Sequence, residues 1–280
     1  MEEKWTTVIR KNTRFFSFDF GELVRYRDLI LLMFKKKYTT RYKQTILGPL
    51  WLVVSPFLNT VIFSVVFGGL AGLSTDGSPQ ILFYMSGNIL WTLFSTSVTN
   101  TSATFVDNVE IFGKVYFPRV VTPIASVMTA MSDFLIQLML FLIILVCLVF
   151  GGYTPQISPS VVLLPLLVLQ VGLLGLGLGN IISSITVKYR DLFLLVSFCL
   201  QLWMYLSPVV YSTSLIPDRW YGLFMVNPMA PVMVIFRHMF LGTDAMPWGF
   251  WGLSWLVTAA VSVYGLLVFN KAQRTFMDTV

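Results

Sequence analysis

Very little in this sequence can bind a metal or carry a proton. Its 280 residues include one histidine, His238, and two cysteines, Cys147 and Cys199. Both cysteines fall inside apolar runs, which argues against a disulfide framework. No HExxH, CxxC or GxxxxGK[ST] pattern occurs, so zinc-protease chemistry and P-loop hydrolysis of ATP are excluded for this chain. Charged residues are only 11% of the total, against about 25% in soluble domains. Asp133 is the one carboxylate deep in an apolar run. A proton relay needs several such groups in succession. Asp133 instead reads as a carboxylate near the interface that pairs with a cation. The polar start, Met1 to Asn12, carries no cleavable signal pattern.

What is abundant is apolar surface. Hydrophobic residues make up 56% and aromatic residues 15%, and mean hydropathy is +0.77. Runs of about 20 apolar residues recur, each matched to a hydrocarbon core of about 30 Å. Six spans are expected, at Leu47–Leu70, Ile81–Thr101, Val120–Phe150, Val161–Thr186, Leu192–Tyr211 and Trp248–Asn270. The fold class is therefore an all-α integral membrane protein. Seventeen of the nineteen Lys and Arg residues precede span one, follow span six, or fall in the loops after spans two and four; Arg219 and Arg237 lie on the other side. The positive-inside rule puts both termini in the cytoplasm. The net charge of +6 speaks of orientation and gives no reason to expect nucleic acid as a partner.

Residues 1–22 read as a cytoplasmic extension and 23–280 as one transmembrane domain. Residues 20–40 differ from the spans. Leu23, Tyr26, Ile30 and Phe34 recur at helical spacing while Glu22, Arg25 and Lys36 fall on other faces, the pattern of an amphipathic helix in the membrane interface. Lys35, Lys36, Lys37, Arg41 and Lys43 follow. They read either as an anchor on anionic membrane lipids or as a landing site for an anionic lipid-linked substrate. In "GLLGLGLG", Gly175 and Gly179 are spaced for close helix packing, not for phosphate.

Four stretches together have a familiar order: "RYKQTILGPLW" (41–51), "KVYFPR" (114–119), "KYRDLFLLVSFCLQLWMYLSPVVY" (188–211), and "NPMAP" (227–231) before "FRHMFLG" (236–242). They resemble the membrane subunit of type-2 ABC exporters of polysaccharides and polyol phosphates. O-antigen, capsule and teichoic-acid exporters are of this kind. The resemblance runs from about Leu23 to the end. It implies a homodimer that works with two separate ATP-binding cassette ATPase subunits. ATP and Mg would be held by those partners, with no cofactor and no catalysis in this chain. The cargo would be a lipid-linked glycan, or alternatively a teichoic-acid or other polyol phosphate. The resemblance also implies a re-entrant helical pair before the last span.

Against that background the loop after span two is the expected coupling element. Asp107 to Gly113 is expected to form a short helix with Pro118 opening span three. Val109, Glu110, Ile111, Phe112, Lys114 and Tyr116 are the candidate ATPase contacts, with Lys188, Tyr189 and Arg190 as a second contact. The apolar members are expected to be exposed until a partner groove covers them. Trp51, Phe57, Trp91, Phe94, Trp203 and Tyr205 are candidate glycan-stacking rings of a pore, or else interface-belt aromatics. Ser207 to Met246 is long for a hairpin and interrupted by Pro208, Pro217, Pro228 and Pro231. It is expected to form the external gate, with Ser207, Pro208, Tyr211, Asn227, Pro228, Met229, Met233 and Arg237 as its residues. Tyr211, Met229 and Met233 would seal it, and Arg237 with His238 would meet an anionic cargo or a lipid headgroup. Two other classes compete. An ion-coupled transporter calls for inverted repeats, and a membrane transferase calls for carboxylate or histidine clusters; neither pattern is convincing here.

Overall fold

The computed structural model describes residues 20–43, 48–114, 117–186, 189, 191–243 and 245–279. The predicted extension 1–22 lies almost wholly outside this range, as do Tyr116, Lys188 and Arg190 of the predicted coupling set. The described residues are helical, without strands. A short α1 (Phe20–Arg25) leads into α2 (Arg27–Tyr42). Span one is composite: a 3-10 turn at Gly48–Leu50, then α3 (Trp51–Phe63), then a π-helical segment Ser64–Leu70. Next come α4 (Gln80–Ser102), two single-turn helices α5 (Thr104–Asp107) and α6 (Val109–Phe112), α7 (Val121–Phe150) and α8 (Leu164–Thr186). The chain closes with α9 (Leu192–Leu206), α10 (Asp218–Val226), α11 (Met229–Leu241) and α12 (Trp248–Thr279).

Five helices are long and apolar enough to cross a membrane. The predicted fifth span is the exception. It ends at Leu206, not Tyr211, and has 15 residues. At 1.5 Å per residue that is about 22 Å, short of a hydrocarbon core. Pro208 explains the early stop, because the residue before a proline is pushed out of helical geometry; Ser207 has φ −103° and ψ 148°. The chain then returns as a broken pair, α10 and α11, bent by 103°. Asn227 and Pro228 occupy the break, and Gly242 closes α11 in the left-handed region at φ 68°, where a side chain would be strained.

α4 is the axis of the bundle. Most of it is buried, from Leu82 through Phe94 and on to Ser102. It packs against α3, α7 and α8. Glycines set how closely the helices approach. A methyl group on Gly175 would lie 2.5 Å from the Ser97 side chain, and one on Gly179 would lie 2.4 Å from that of Thr101, both on α4. On the opposite flank, a methyl group on Gly265 of α12 would lie 2.3 Å from the Gly177 carbonyl oxygen. The glycine run is thus a two-sided packing surface, with alternate residues serving α4 and α12.

The two ends of the bundle differ. At one end Ile30 and Met33 of α2, Phe105, Phe112, Phe117, Val121 and Phe269 form a separate apolar cluster. It brings α2 and the late part of α12 to the same end, called here the terminal end. At the far end, Ser158 donates from its backbone to Met239, and the loop of residues 71–79 meets the segment after α9. Gly265→Val is expected to force α8 and α12 apart. It should destabilise the chain by about 1–3 kcal/mol, read as a lower melting temperature in detergent. Gly252→Val, on the same helix with open space around it, should leave that temperature almost unchanged.

Candidate functional site

At the terminal end α2 rises along α7, and the two are joined by polar side chains. Lys37 donates from Nζ to Ser126 Oγ at 2.5 Å. One turn on, Arg41 forms an ion pair with Asp133. Asp133 therefore has the cation partner anticipated from its isolation, supplied by the basic cluster. Between α2, the end of α4, α5, α6 and α7 lies a cavity of about 640 Å³. Its cations are Lys36, Lys37 and Arg41, and Asp107 is its carboxylate. Burial pushes the Lys37 ammonium below the usual lysine range; Asp107 opposes this and Arg41 reinforces it. The walls are apolar where Leu29, Leu32, Met33 and Ile111 face inward. Lys35 and Lys43 are exposed and lie outside the lining.

The cavity joins two sets of residues that looked separate in the sequence. Ile111, from the loop after span two, lines the same space as Lys36, Lys37 and Arg41. The loop itself folds as two single-turn helices with Asn108 between them; its side chain donates back to the Thr104 carbonyl at 2.8 Å. Glu110 and Lys114 are exposed, and Val109 and Ile111 are half-buried. Phe112 departs from expectation. It is 4% exposed, because its ring packs against Phe105 and Phe117 with centroids 6.0 and 5.7 Å away. The Arg119 guanidinium covers it at 5.3 Å. Phe112 is a core residue of this chain and is not offered to a partner groove. Tyr189, from the loop after span four, is exposed.

The candidate pore rings fall into two groups. Trp91, Phe94 and Trp203 form one aromatic cluster, with centroids 5.2 to 6.5 Å apart. Trp91 and Phe94 are buried, and with Trp203 they hold α9 to α4. Trp51, Phe57 and Tyr205 are exposed on α3 and α9.

The predicted gate segment is where structure changes the reading most. Met229 and Met233 are fully buried in the main core, so neither faces a pore mouth within this chain; Tyr211 is half-buried and meets Phe224 edge-on. Asn227 organises the break before α11. Its Oδ1 accepts from Trp203 Nε1 and from the Met229 backbone, both at 3.1 Å, and its Nδ2 donates to Ser207 Oγ at 2.8 Å. Pro208 is buried beside it, and the Pro228 carbonyl accepts from Ser254.

Arg237 also departs from expectation: it is not exposed to meet a solute. It is 1% exposed and its guanidinium serves the chain itself. NH2 donates to the Val209 carbonyl at 2.8 Å, NH1 to the Tyr211 carbonyl at 3.3 Å, and Nε to Ser86 Oγ at 3.2 Å. Its flat face lies 3.7 Å from the Phe83 ring centroid, a cation–π contact. The reason is the prolines. They leave carbonyls at 207–211 without helical donors, and at this depth an unsatisfied carbonyl is costly. Gly87 permits the contact, since a methyl group there would lie 2.6 Å from the Val209 carbonyl oxygen.

One residue of this region was not anticipated. Asp76, in the loop between spans one and two, adopts φ 51° and accepts from Ser212 and from Ser214 Oγ. The Asp-Gly turn at 76–77 was its sequence signal. Among the described residues no cluster of histidine, cysteine or carboxylates is placed to hold a metal.

Comparison with known proteins decides the family, because the profile of the ABC-2 type transporters matches residues 28–241. The chain belongs to the ABC-2 type transporter family. The match takes in α2, every helix up to α11, and the broken pair. Among its relatives is an O-antigen export system permease protein, RfbA, of Myxococcus xanthus, 31% identical over 269 residues that cover 92% of this chain and 98% of that protein. RfbA of Klebsiella pneumoniae is 28% identical over 90% of this chain and 94% of its own length. The polysialic acid transport protein KpsM of Escherichia coli is 21% identical over 74% of this chain. The chain is a multi-pass membrane permease of the polysaccharide-export type.

Removing the buried guanidinium tests the far-end arrangement. Arg237→Met is expected to lose about 1.5–3 kcal/mol for each charge-assisted hydrogen bond, measured as loss of thermal stability in detergent. Arg237→Lys should not restore it, since one ammonium cannot reproduce the planar fork.

Proposed function

We infer that this permease is the membrane-spanning subunit of an ATP-driven exporter that carries a lipid-linked polysaccharide of O-antigen type out of the cytoplasm. It works as a homodimer with two ATP-binding cassette subunits. The observation that carries this is the near full-length similarity to O-antigen export permeases. The cation distribution supports placing the terminal end, with α2, α5 and α6, in the cytoplasm. The exposed aromatic rings of α3 and α9 suit glycan faces, and the outer surfaces of those helices suit a second copy of the chain. No hydrolytic chemistry is assigned to the chain itself; ATP and Mg belong to the partner.

Coupling is proposed to pass through α6. Glu110 and Lys114 are exposed, and Val109 and Ile111 are half-buried, so these residues face the partner's motion. Phe112 behind them ties that motion to Phe105, Phe117 and Phe269. A push on α6 is thus a push on the base of α7 and on α12. The far-end strap of residues 207–211 is the proposed exit gate.

Two variants of neighbouring residues separate coupling from folding. Ile111→Asp is expected to insert and fold but to lose affinity for the ATPase subunit, because a carboxylate against an apolar partner surface costs several kcal/mol. Phe112→Asp is expected to destabilise the permease alone, by at least the 3–5 kcal/mol typical of losing a buried Phe. Pull-down of the ATPase and permease melting, measured in parallel, check the pair; a normal, active complex carrying Ile111→Asp would remove the coupling assignment. For the gate, single cysteines at Ser207, Tyr211, Asn227 and Met233 should react slowly with an impermeant thiol reagent at rest, with Ser207 and Met233 slowest. Labelling at Tyr211 and Asn227 should speed up during ATP-driven export. Fast labelling at all four positions without ATP would mean an open loop.

A further inference from the structure

The cavity under α2 has features that helix packing does not require. Three cations, Lys36, Lys37 and Arg41, face one carboxylate, Asp107, across about 640 Å³. Lys37 is half-buried, and burial lowers its proton affinity despite Asp107; such a group is stabilised by an incoming anion. The rest of the lining is mixed: Leu29, Leu32 and Met33 of the same helix, with Ile111 and Phe117, form an apolar wall beside the polar Thr40, Asn100, Asn108 and Thr129. A free anion would leave that wall wet, and a neutral lipid would bring no negative charge to a lining of three cations and one carboxylate. A phosphate with hydrocarbon attached satisfies both surfaces, and the volume is in the range of small-molecule sites.

We propose that this cavity binds the phosphate of an amphiphile and that the phosphate competes with Asp133 for Arg41. Lys36 stands exposed at the cavity, and Lys37 and Arg41 lie one helical turn apart behind it. In the structure Arg41 is held by Asp133 and Lys37 by Ser126, and α2 is fastened along α7. A bound phosphate draws both cations toward itself and loosens that fastening. Ile111 lines the same space, so occupancy is felt at α6. The proposal deepens the transport reading and rests on it only for the origin of the phosphate. The headgroup belongs either to an anionic phospholipid of the bilayer or to the diphosphate of a lipid-linked cargo.

The test uses the full-length permease in a neutral maltoside detergent, titrated calorimetrically with three short-chain probes. These are dihexanoyl phosphatidylglycerol, a short prenyl diphosphate, and dihexanoylglycerol, which has the same apolar part as the first but no phosphate. Both phosphate probes are expected to bind, and dihexanoylglycerol at least tenfold more weakly. Lys37→Met should weaken phosphate binding about tenfold, the loss of one charge-assisted hydrogen bond. Lys36→Gln, at an exposed position that cannot upset folding, should weaken it severalfold, and Lys43→Gln, outside the lining, should not change it. Asp133→Asn should tighten binding, because the competitor for Arg41 is gone; a merely structural pair predicts no gain. Preference for the prenyl diphosphate identifies cargo as the source, and preference for phosphatidylglycerol identifies the bilayer. Equal binding of all three probes, or phosphate binding indifferent to Lys36→Gln and Lys37→Met, overturns the proposal. Export that persists without headgroup binding defeats this inference and leaves the transport reading intact. Headgroup binding in a permease that never engages an ATPase defeats only the transport reading.

Discussion

Every backbone carbonyl at membrane depth needs a donor, and the architecture of this permease follows from how it meets that need where helices are broken. Five helices satisfy their own backbone groups. The ninth stops at Leu206, too short to cross, and the chain must turn back through non-helical residues. Arg237 supplies the missing donors. One guanidinium reaches two carbonyls of the strap and a serine of α4, with an aromatic ring against its face. That single fork fixes α11 against α4 and the strap against both. Asn227 performs the same service on the other side of the break, bridging Trp203, Ser207 and the start of α11.

The terminal end is built on a different principle. There an apolar cluster of phenylalanines does the joining, and charge sits at its edge. Phe112 is central to it, which reverses the simplest idea of a coupling loop. The Phe112 ring does not wait bare for a partner. That ring is buried at home, and Glu110 and Lys114 are left outward. Packed rings, which resist compression, join α6 to the base of α7 and to α12. Beside this cluster, Arg41 and Asp133 connect α2 to a point well inside α7. Only the Asp133 side of this ion pair is buried, and a pair so placed contributes little net stability.

Glycine unites the two ends. Gly175 and Gly179 face α4 while Gly177 faces Gly265 of α12. Three helices come within backbone distance along one seam, which runs between the strap at one end and the phenylalanine cluster at the other. The two ends are therefore joined by helices that cannot easily slide apart.

The amino-acid sequence by itself determined the class of the molecule. The lengths of its apolar runs and the prolines between residues 207 and 231 are local properties, and they specify apolar helices and a broken pair without reference to any contact. The glycine run was legible as packing for the same reason. What only the tertiary structure decided was which side chains face what. Arg237 looked like a group for anionic cargo because a cation in an external segment ordinarily meets solvent; the carbonyls it serves lie 26 and 28 residues away in sequence, and no periodicity reveals them. Met229, Met233 and Phe112 read as surface for a gate or a partner, and their burial depends on helices far along the chain. The pairing of Arg41 with Asp133 spans 92 residues, and the cavity that Arg41 lines is assembled from five helices, α2, α4, α5, α6 and α7. Local pattern sets the elements, because helix formation and insertion depend on neighbours in sequence. The sites arise where elements distant in sequence meet, and that information resides in the packed molecule.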